Sequence, residues 1–374
     1  MKIAHLDTGR ELRGGQHQLL LLADGLRQRG HEQLIVCPES SPLEERARGA
    51  GFRVFSMPAH DPGQAHGILQ LRRLVKLEPF EIVHAHDGRG QTLAYLATLA
   101  MPVRRVATRR VTFLPEGLSS RLAIHRLKYD FTTDGIIAIS QFIRQLLVKS
   151  GIPEAKIEVI PDGVTLPPES PSANRELRSR VRGRWGFGVG EFAVGQVGAF
   201  SPEKGQETAV GAMVLLAEKL PSARLALAGA VPAPLPRPLK ALIARAGDRV
   251  RLLGYVEDLR EFFAGLDLYI MPSLAEGLGS SALLAMAHGL AVIASRVGGL
   301  PEIVEEDKTG WLVPAAPGGS VSPEALADAI FVAASDRARL REFGGNARER
   351  ARQFSSDIMV ARTEALYRRL LACG

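Results

Sequence analysis

A chain of 374 residues, 46% hydrophobic and 23% charged with 38 Gly and 23 Pro, has the balance of a globular enzyme. At about 100–200 residues per domain it has the length of two domains. Its two cysteines, Cys37 in an apolar run and Cys373, exclude a disulfide framework and a four-ligand zinc set, and 47 Lys and Arg against 40 Asp and Glu give a charge of +7 that suits anionic partners without choosing among them.

The opening Met1–Asp7 stretch breaks off into Arg and Glu too early for a signal peptide, and no apolar run of about 18 residues follows, so a cytoplasmic location is expected. In chain order, short β-branched runs alternate with longer amphipathic stretches. Strands are expected at Lys2–Leu6, Gln33–Cys37, Arg53–Ser56, Glu81–Ala85, Val103–Thr108 and Gly135–Ile139. Helices are expected at Gln16–Arg29, Pro42–Ala50, Gly63–Leu77, Arg89–Leu99, Leu118–Tyr129 and Gln141–Lys149. Such alternation points to a parallel, doubly wound sheet with helices on both faces. The Pro-dense stretch Pro161–Pro171 suits a linker, after which the alternation restarts: strands at Phe192–Val197, Ala223–Ala228, Val250–Leu253, Leu266–Ile270, Ala291–Ala294 and Trp311–Val313, and helices at Lys204–Glu218 and Ser280–His288. Two long helical segments, about Pro323–Gln353 and Ser355–Ala372, close the chain. The expected fold is therefore α/β, with two Rossmann-like domains: residues 1–166, joined by the helix at 355–374, and residues 167–354. Two such sheets facing across a cleft suit a two-substrate transfer enzyme or a hinged binding protein.

The most informative stretch is Glu276-Gly277-Leu278-Gly279-Ser280-Ser281, where a strand ends in a Gly-rich turn that opens a helix. Backbone N–H groups at a helix start and the positive end of its dipole form an anion site, and glycine lets a phosphate approach closely. An ordinary capped turn is the alternative.

This stretch, with Gly298-Gly299-Leu300-Pro301-Glu302 and Thr309-Gly310-Trp311 downstream, resembles the family-four retaining glycosyltransferases of GT-B fold. Gly198 through Lys204-Gly205 resembles that family's phosphate-binding segment, and Gly254-Tyr255-Val256 its nucleobase-side loop. Gly14-Gly15-Gln16 and the pair His84 and His86 resemble its N-terminal signatures. The resemblance implies a nucleotide-diphosphate sugar on the C-terminal domain and the acceptor on the N-terminal one. It gives Lys204 the leaving diphosphate, Glu276 the donor-sugar hydroxyls, and His86 the sugar or the charge at its anomeric carbon. Gly277, Leu278, Gly279, Ser280, Ser281 and Leu284 would complete the donor site, with Gly14, Gly15, Gln16, Arg109 and Arg110 on the acceptor side; His84 is read as a packed strand histidine.

Three positions depart from the family pattern. Ala199 stands where an arginine is usual, Leu284 where a second glutamate holds the ribose, and Asp162 where the linker has Asn. The basic run from Arg104 to Lys128 suits a lipid-linked or phosphorylated acceptor and contact with an anionic membrane surface, or else a plain solvated face. It lacks the aromatic interleaving of single-stranded nucleic-acid binders, so no nucleic-acid partner is expected. No Asp-x-Asp pair, histidine–cysteine metal spacing, nucleophile elbow or Walker loop occurs, so no metal or other cofactor is expected. The expected activity is transfer of a sugar from a nucleotide sugar to a glycan or glycolipid of cell-envelope type, with retention. A catalytically weakened sugar-nucleotide-binding protein and a nucleotide-sugar epimerase are the rivals.

Overall fold

The computed structural model describes residues 1–58, 65–112, 129–168 and 171–373. The chain divides into two compact units, Met1–Gly163 with Ser356–Gly374, and Val164–Ser355.

The first unit is built on a seven-stranded sheet of order β3-β2-β1-β4-β5-β6-β7, all parallel: β1 (Lys2–Leu6), β2 (Glu32–Pro38), β3 (Arg53–Met57), β4 (Ile82–Ala85), β5 (Arg104–Arg109), β6 (Gly135–Ala138) and β7 (Ile157–Val159). Successive residues of a strand face opposite ways, so β1 splits its side chains between two cores. Ala4 and Leu6 join Val83, Ala85, Leu71 and Leu93 on one face; Ile3 joins Ile82, Leu22, Leu26, Val360 and Tyr367 on the other. The second face is covered by helices Gly14–Gln28 and Ser356–Ala372, which meet so closely that a Cβ on Gly25 would lie 2.4 Å from Val360.

The second unit carries a six-stranded parallel sheet of order β10-β9-β8-β11-β12-β13, with β8 (Phe192–Val197), β9 (Ala223–Ala228), β10 (Val250–Gly254), β11 (Leu268–Met271), β12 (Val292–Ser295) and β13 (Gly310–Val313). Val194, Leu225, Leu268, Ile270 and Ile293 pack with Val210, Met213, Leu216, Leu326 and Ile330, from helices Gln206–Lys219 and Pro323–Ser335, into one buried core.

The structure corrects several sequence expectations. The long helix expected over Pro323–Gln353 is two, Pro323–Ser335 and Arg337–Arg352, because Asp336 leaves helical geometry and its carboxylate caps the N–H groups of Ala338 and Arg339. Helices Pro171–Trp185 and Arg237–Ala246 lie where none was expected, and the first begins at the proline taken as the end of the linker. Helix Gly14–Gln28 starts two residues early and takes in Gly14 and Gly15. Of the helix expected at Leu118–Tyr129, residues 118–128 lie outside the described residues, and with them Arg121, His125, Arg126 and Lys128. Among the described residues no helix is long and apolar enough to cross a membrane.

Candidate active site

In the second unit the strand ends converge on glycine. β8 and β9 run into Gly198 and Gly229, and β10 ends on Gly254. Gly198 N donates to Ala228 O at 3.0 Å and Gly229 N to Gly254 O at 2.8 Å, while a Cβ on Gly229 would lie 2.0 Å from Gly198 O. The three strand ends can therefore pack backbone to backbone only if position 229 carries no side chain. Beyond Gly254, Tyr255 is exposed and Val256 half-buried.

Lys204 follows on this edge. It ends a short 3-10 turn, Pro202–Lys204, and Gly205 then takes φ 68° to start helix Gln206–Lys219. A Cβ on Gly205 would lie 2.0 Å from Pro272 O, and Leu274 N donates to Glu203 O at 2.8 Å, so the loop is fastened to the segment leaving β11. Gln196 Nε2 holds the Lys204 carbonyl at 2.6 Å.

That fastening brings Lys204 Nζ to 2.5 Å from Glu276 Oε1, which also accepts from Ser273 Oγ at 2.9 Å. Glu276 is buried and Lys204 half-buried. The Glu276 backbone is pinned as well: Gly299 N donates to Glu276 O at 3.1 Å, and a Cβ on Gly298 would lie 1.9 Å from that oxygen. Gly298 and Gly299 are thus required by close approach of the turn that carries the carboxylate.

Gly277, Leu278 and Gly279 are buried, and Gly279 caps helix Ser280–Ala287 with φ 102°. Buried Tyr269, its hydroxyl pushed up to about 12 by burial, lies 2.9 Å from Ser281 Oγ and 3.3 Å from Val197 N and O. It ties the end of β8 to the first turn of that helix. Ser281, Leu284 and His288 are half-buried and share one stripe, while Ala282, Leu283, Ala285 and Met286 fill the core. Leu284 is therefore not a core residue, and Ala199 is exposed.

The first unit gathers a second group. His86 follows β4, its backbone N–H donating to Leu6 O at 2.8 Å. His5 and His84 stand opposite each other on β1 and β4. The nearest ligating atoms of His5, His84 and His86 lie within 4.8 Å of one another, a trio that the sequence spacing conceals. Their nitrogens are largely engaged. His5 Nδ1 meets His86 Nε2 at 3.1 Å and His5 Nε2 meets Gln33 Oε1 at 3.0 Å, while His84 lies between Tyr367 OH at 2.6 Å and Thr108 Oγ1 at 2.7 Å. A cation held by all three rings would have to displace hydrogen bonds that already satisfy them. Burial pushes His5 down to about 4 and His84 and His86 well below the usual histidine range.

Gln16 is committed within its loop: Oε1 accepts from Arg13 N at 3.0 Å and Nε2 donates to Asp7 Oδ1 at 2.8 Å. Burial first, then the Asp87 charge, raises the Asp7 carboxyl. Gly14 is exposed, and a Cβ on Gly15 would lie 3.7 Å from Arg110 Cδ. Arg110 Nε donates to buried Asp162 at 3.1 Å, so the carboxylate found where the family has Asn supplies Arg110 with a counter-charge. Arg109 ends β5 and donates to Val111 O at 3.1 Å and Tyr129 OH at 3.3 Å.

Residues 12–166 match the family described as Glycosyltransferase Family 4, and residues 191–336 the family described as Glycosyl transferases group 1. The GDP-mannose-dependent alpha-(1-6)-phosphatidylinositol monomannoside mannosyltransferase of Mycobacterium tuberculosis (strain CDC 1551 / Oshkosh) is 30% identical over 346 residues, covering 86% of this chain and 85% of the relative. The chain belongs to glycosyltransferase family 4.

A second relative of this glycosyltransferase, the UDP-Gal:alpha-D-GlcNAc-diphosphoundecaprenol alpha-1,3-galactosyltransferase of Escherichia coli, is 25% identical over 332 residues and 84% of each chain. Its fold is the GT-B fold of glycosyltransferases: the crystal structure of Anabaena Alr3699/HepE in complex with UDP-glucose matches it with a TM-score of 0.85 at 23% identity, covering 98% of this chain and 99% of that one.

Sequence reasoning about the glycosyltransferase placed Gly198, Lys204, Gly254 and Glu276 separately, and the structure brings them to one sheet edge. It missed Gly229, Ser273 and Tyr269 there, and His5, Gln33, Asp7 and Asp87 in the first unit. Only Gly229 carried a usable signal, the recurrence of a strand ending in glycine at 198, 229 and 254.

Proposed function

We propose that this glycosyltransferase moves a sugar from a nucleotide-diphosphate donor to a lipid-linked glycan or glycolipid with retention of anomeric configuration, at the inner face of a membrane. The observation that carries the reading is the Lys204–Glu276 pair, held at 2.5 Å on a glycine-lined sheet edge next to the start of helix Ser280–Ala287. A diphosphate takes over the Lys204 ammonium, and the Glu276 carboxylate turns to the hydroxyls of the attached sugar. As the bond to the leaving group breaks, charge grows on the diphosphate, and Lys204 with the helix start meets it without reorganisation. Retention follows if the acceptor enters from the leaving-group side and a diphosphate oxygen takes its proton.

Lys204 supplies the positive charge, and the chain has no Asp-x-Asp pair, so a chelator is expected to leave initial rates unchanged. A strict manganese or magnesium requirement would count against this donor site. The relatives' names support a GDP- or UDP-sugar and a lipid-linked acceptor.

The test has two stages. Uridine, guanosine, adenosine and cytidine diphosphates are screened by thermal shift, since a ligand bound only by the native state raises Tm. The matching labelled nucleotide sugars are then offered with phosphatidylinositol mannoside or undecaprenyl-diphosphate GlcNAc in vesicles, and the product anomer is read by NMR. Binding of a nucleotide without transfer or hydrolysis would favour a weakened binding protein, the reading motivated by Ala199 and Leu284. No shift with any diphosphate would overturn the donor site.

A further inference from the structure

Gln33, His5 and His86 of the first unit form a hydrogen-bonded chain whose polarity is set at one end by the backbone. Gln33 sits on β2 opposite Ile3, diagonal to His5 on the face covered by helix Gly14–Gln28. Its Nε2 lies 2.8 Å from Ala23 O of that helix. A backbone carbonyl only accepts, so the amide NH2 must point there and Oε1 must face His5. Oε1 also only accepts, so the His5 nitrogen 3.0 Å away, Nε2, carries a proton. Burial keeps His5 neutral at pH 7, which leaves its Nδ1 bare. The contact of 3.1 Å between His5 Nδ1 and His86 Nε2 then requires the proton on His86 Nε2. His86 is neutral for the same reason, and its remaining nitrogen, Nδ1, is a bare acceptor, buried and without a hydrogen-bond partner among the described residues.

We propose that Gln33 is a positioning residue: acting through His5, it fixes the His86 proton on Nε2 and keeps Nδ1 as an acceptor for a sugar hydroxyl. The proposal rests on the reading of His86 as a donor-sugar contact. A buried acceptor left unpaired is disfavoured, and a hydroxyl that donates to Nδ1 removes the deficit. His86 with the opposite tautomer would present an N–H and orient the same hydroxyl as an acceptor.

Nitrogen NMR of the whole chain labelled in its histidines tests the relay without needing turnover. The expected spectrum shows His5 and His86 both protonated on Nε2 and bare on Nδ1. In a folded Gln33→Leu protein the anchor is gone, and both tautomers of His86 should appear in comparable amounts. A wild-type His86 protonated on Nδ1, an unchanged tautomer in folded Gln33→Leu, or zinc bound by the trio in elemental analysis would each overturn the relay; the wild-type spectrum decides even if the variant does not fold. GDP-mannose and UDP-glucose are then added, with GDP and UDP as controls. A shift of His86 Nδ1 toward the hydrogen-bonded range with a sugar nucleotide, and not with its diphosphate, is expected. A bound sugar nucleotide that leaves Nδ1 unmoved would overturn the sugar as occupant, and with it the reading of His86, while the tautomer measurement still judges Gln33.

Discussion

At the scale of single residues, Lys204 serves both the fold and the proposed chemistry, and the two can be separated. Lys204→Ala strands the buried Glu276 carboxylate with Ser273 as its remaining partner, so stability should fall by about 1–3 kcal/mol, the usual cost of an unsatisfied buried group. Turnover should fall further, by about 10²–10³, as when one donor to a developing anion is removed. The double variant Lys204→Ala, Glu276→Gln should recover most of the stability in urea melts and none of the turnover. Recovery of near-native turnover would remove Lys204 from the leaving-group role. Leu284 gives a second test, because it shares the half-buried stripe with Ser281 rather than the core. Leu284→Glu should fold with little change in Tm and bind the cognate nucleoside diphosphate about tenfold tighter in calorimetry, the effect of one hydrogen bond to a charged acceptor. Weaker binding by the folded variant would show that the ribose lies elsewhere.

At the scale of elements, the loop between β8 and helix Gln206–Lys219 is where position matters most. Gly205→Ala combines a left-handed backbone, costing about 1–2 kcal/mol for a residue with a side chain, with a Cβ that would meet Pro272 O at 2.0 Å. The loop must shift away from the β11 segment, so a folded Gly205→Ala protein should lose activity out of proportion to its lower urea midpoint. Proportional loss would mean that the loop contributes only stability. The elements also show what a sequence can and cannot reveal. β-branched runs mark both sheets, because parallel strands are buried on both faces, and strand-ending glycines mark β8, β9 and β10 of the second, where the strand ends pack backbone to backbone. Helix Pro171–Trp185 escaped because its arginines give little apolar periodicity: Arg178 and Arg182 pair with Asp267 instead. The break at Asp336 escaped because the apolar pattern runs through it and only a cap divides the helices. In the candidate site, each motif residue was legible alone. The pairing of Lys204 with Glu276, and of His5 with Gln33 and His86, depends on strand order and register, which a local pattern does not carry.

At the scale of the whole molecule, the first unit holds a concentration of acid-sensitive groups. His5, His84 and His86 have lowered values in the fold, so the unfolded chain takes up protons first. Their contribution is complete above pH about 6.5 and is lost as pH falls below it, by up to about 1.4 kcal/mol per pH unit for each group. Glu364, held down to about 2 chiefly by Arg368 and also by Arg29 and His31, acts lower. Its stabilisation is present above its ordinary value near 4.5 and disappears as pH falls toward 2. Hydrogen exchange corrected for intrinsic rates should show β1 and β4 losing protection from pH 7 to pH 5, with Glu364→Gln lowering protection by a constant amount above about pH 4.5 and removing the further loss between about pH 4.5 and 2. Protection of β1 and β4 that is flat between pH 7 and 5 would contradict neutral buried histidines. The two tryptophans, Trp185 and Trp311, both lie in the second unit, so their fluorescence offers an internal reference.

The return of helix Ser356–Ala372 to the first sheet also sets an order on synthesis. Residues 164–355 leave the ribosome as one uninterrupted unit. The sheet begun at Lys2 must wait for Val360 to cover Gly25 and for Tyr367 to reach His84. The part translated first is therefore finished last, the reverse of the usual vectorial order. For the time needed to add about 190 residues at roughly 5–20 per second, the nascent chain carries an apolar flank around Ile3, Leu22 and Leu26 that only its own tail can close. That interval makes the flank a natural substrate for chaperones, and a chain released before the tail is made would be a target for proteases in its first half while its second half stands folded.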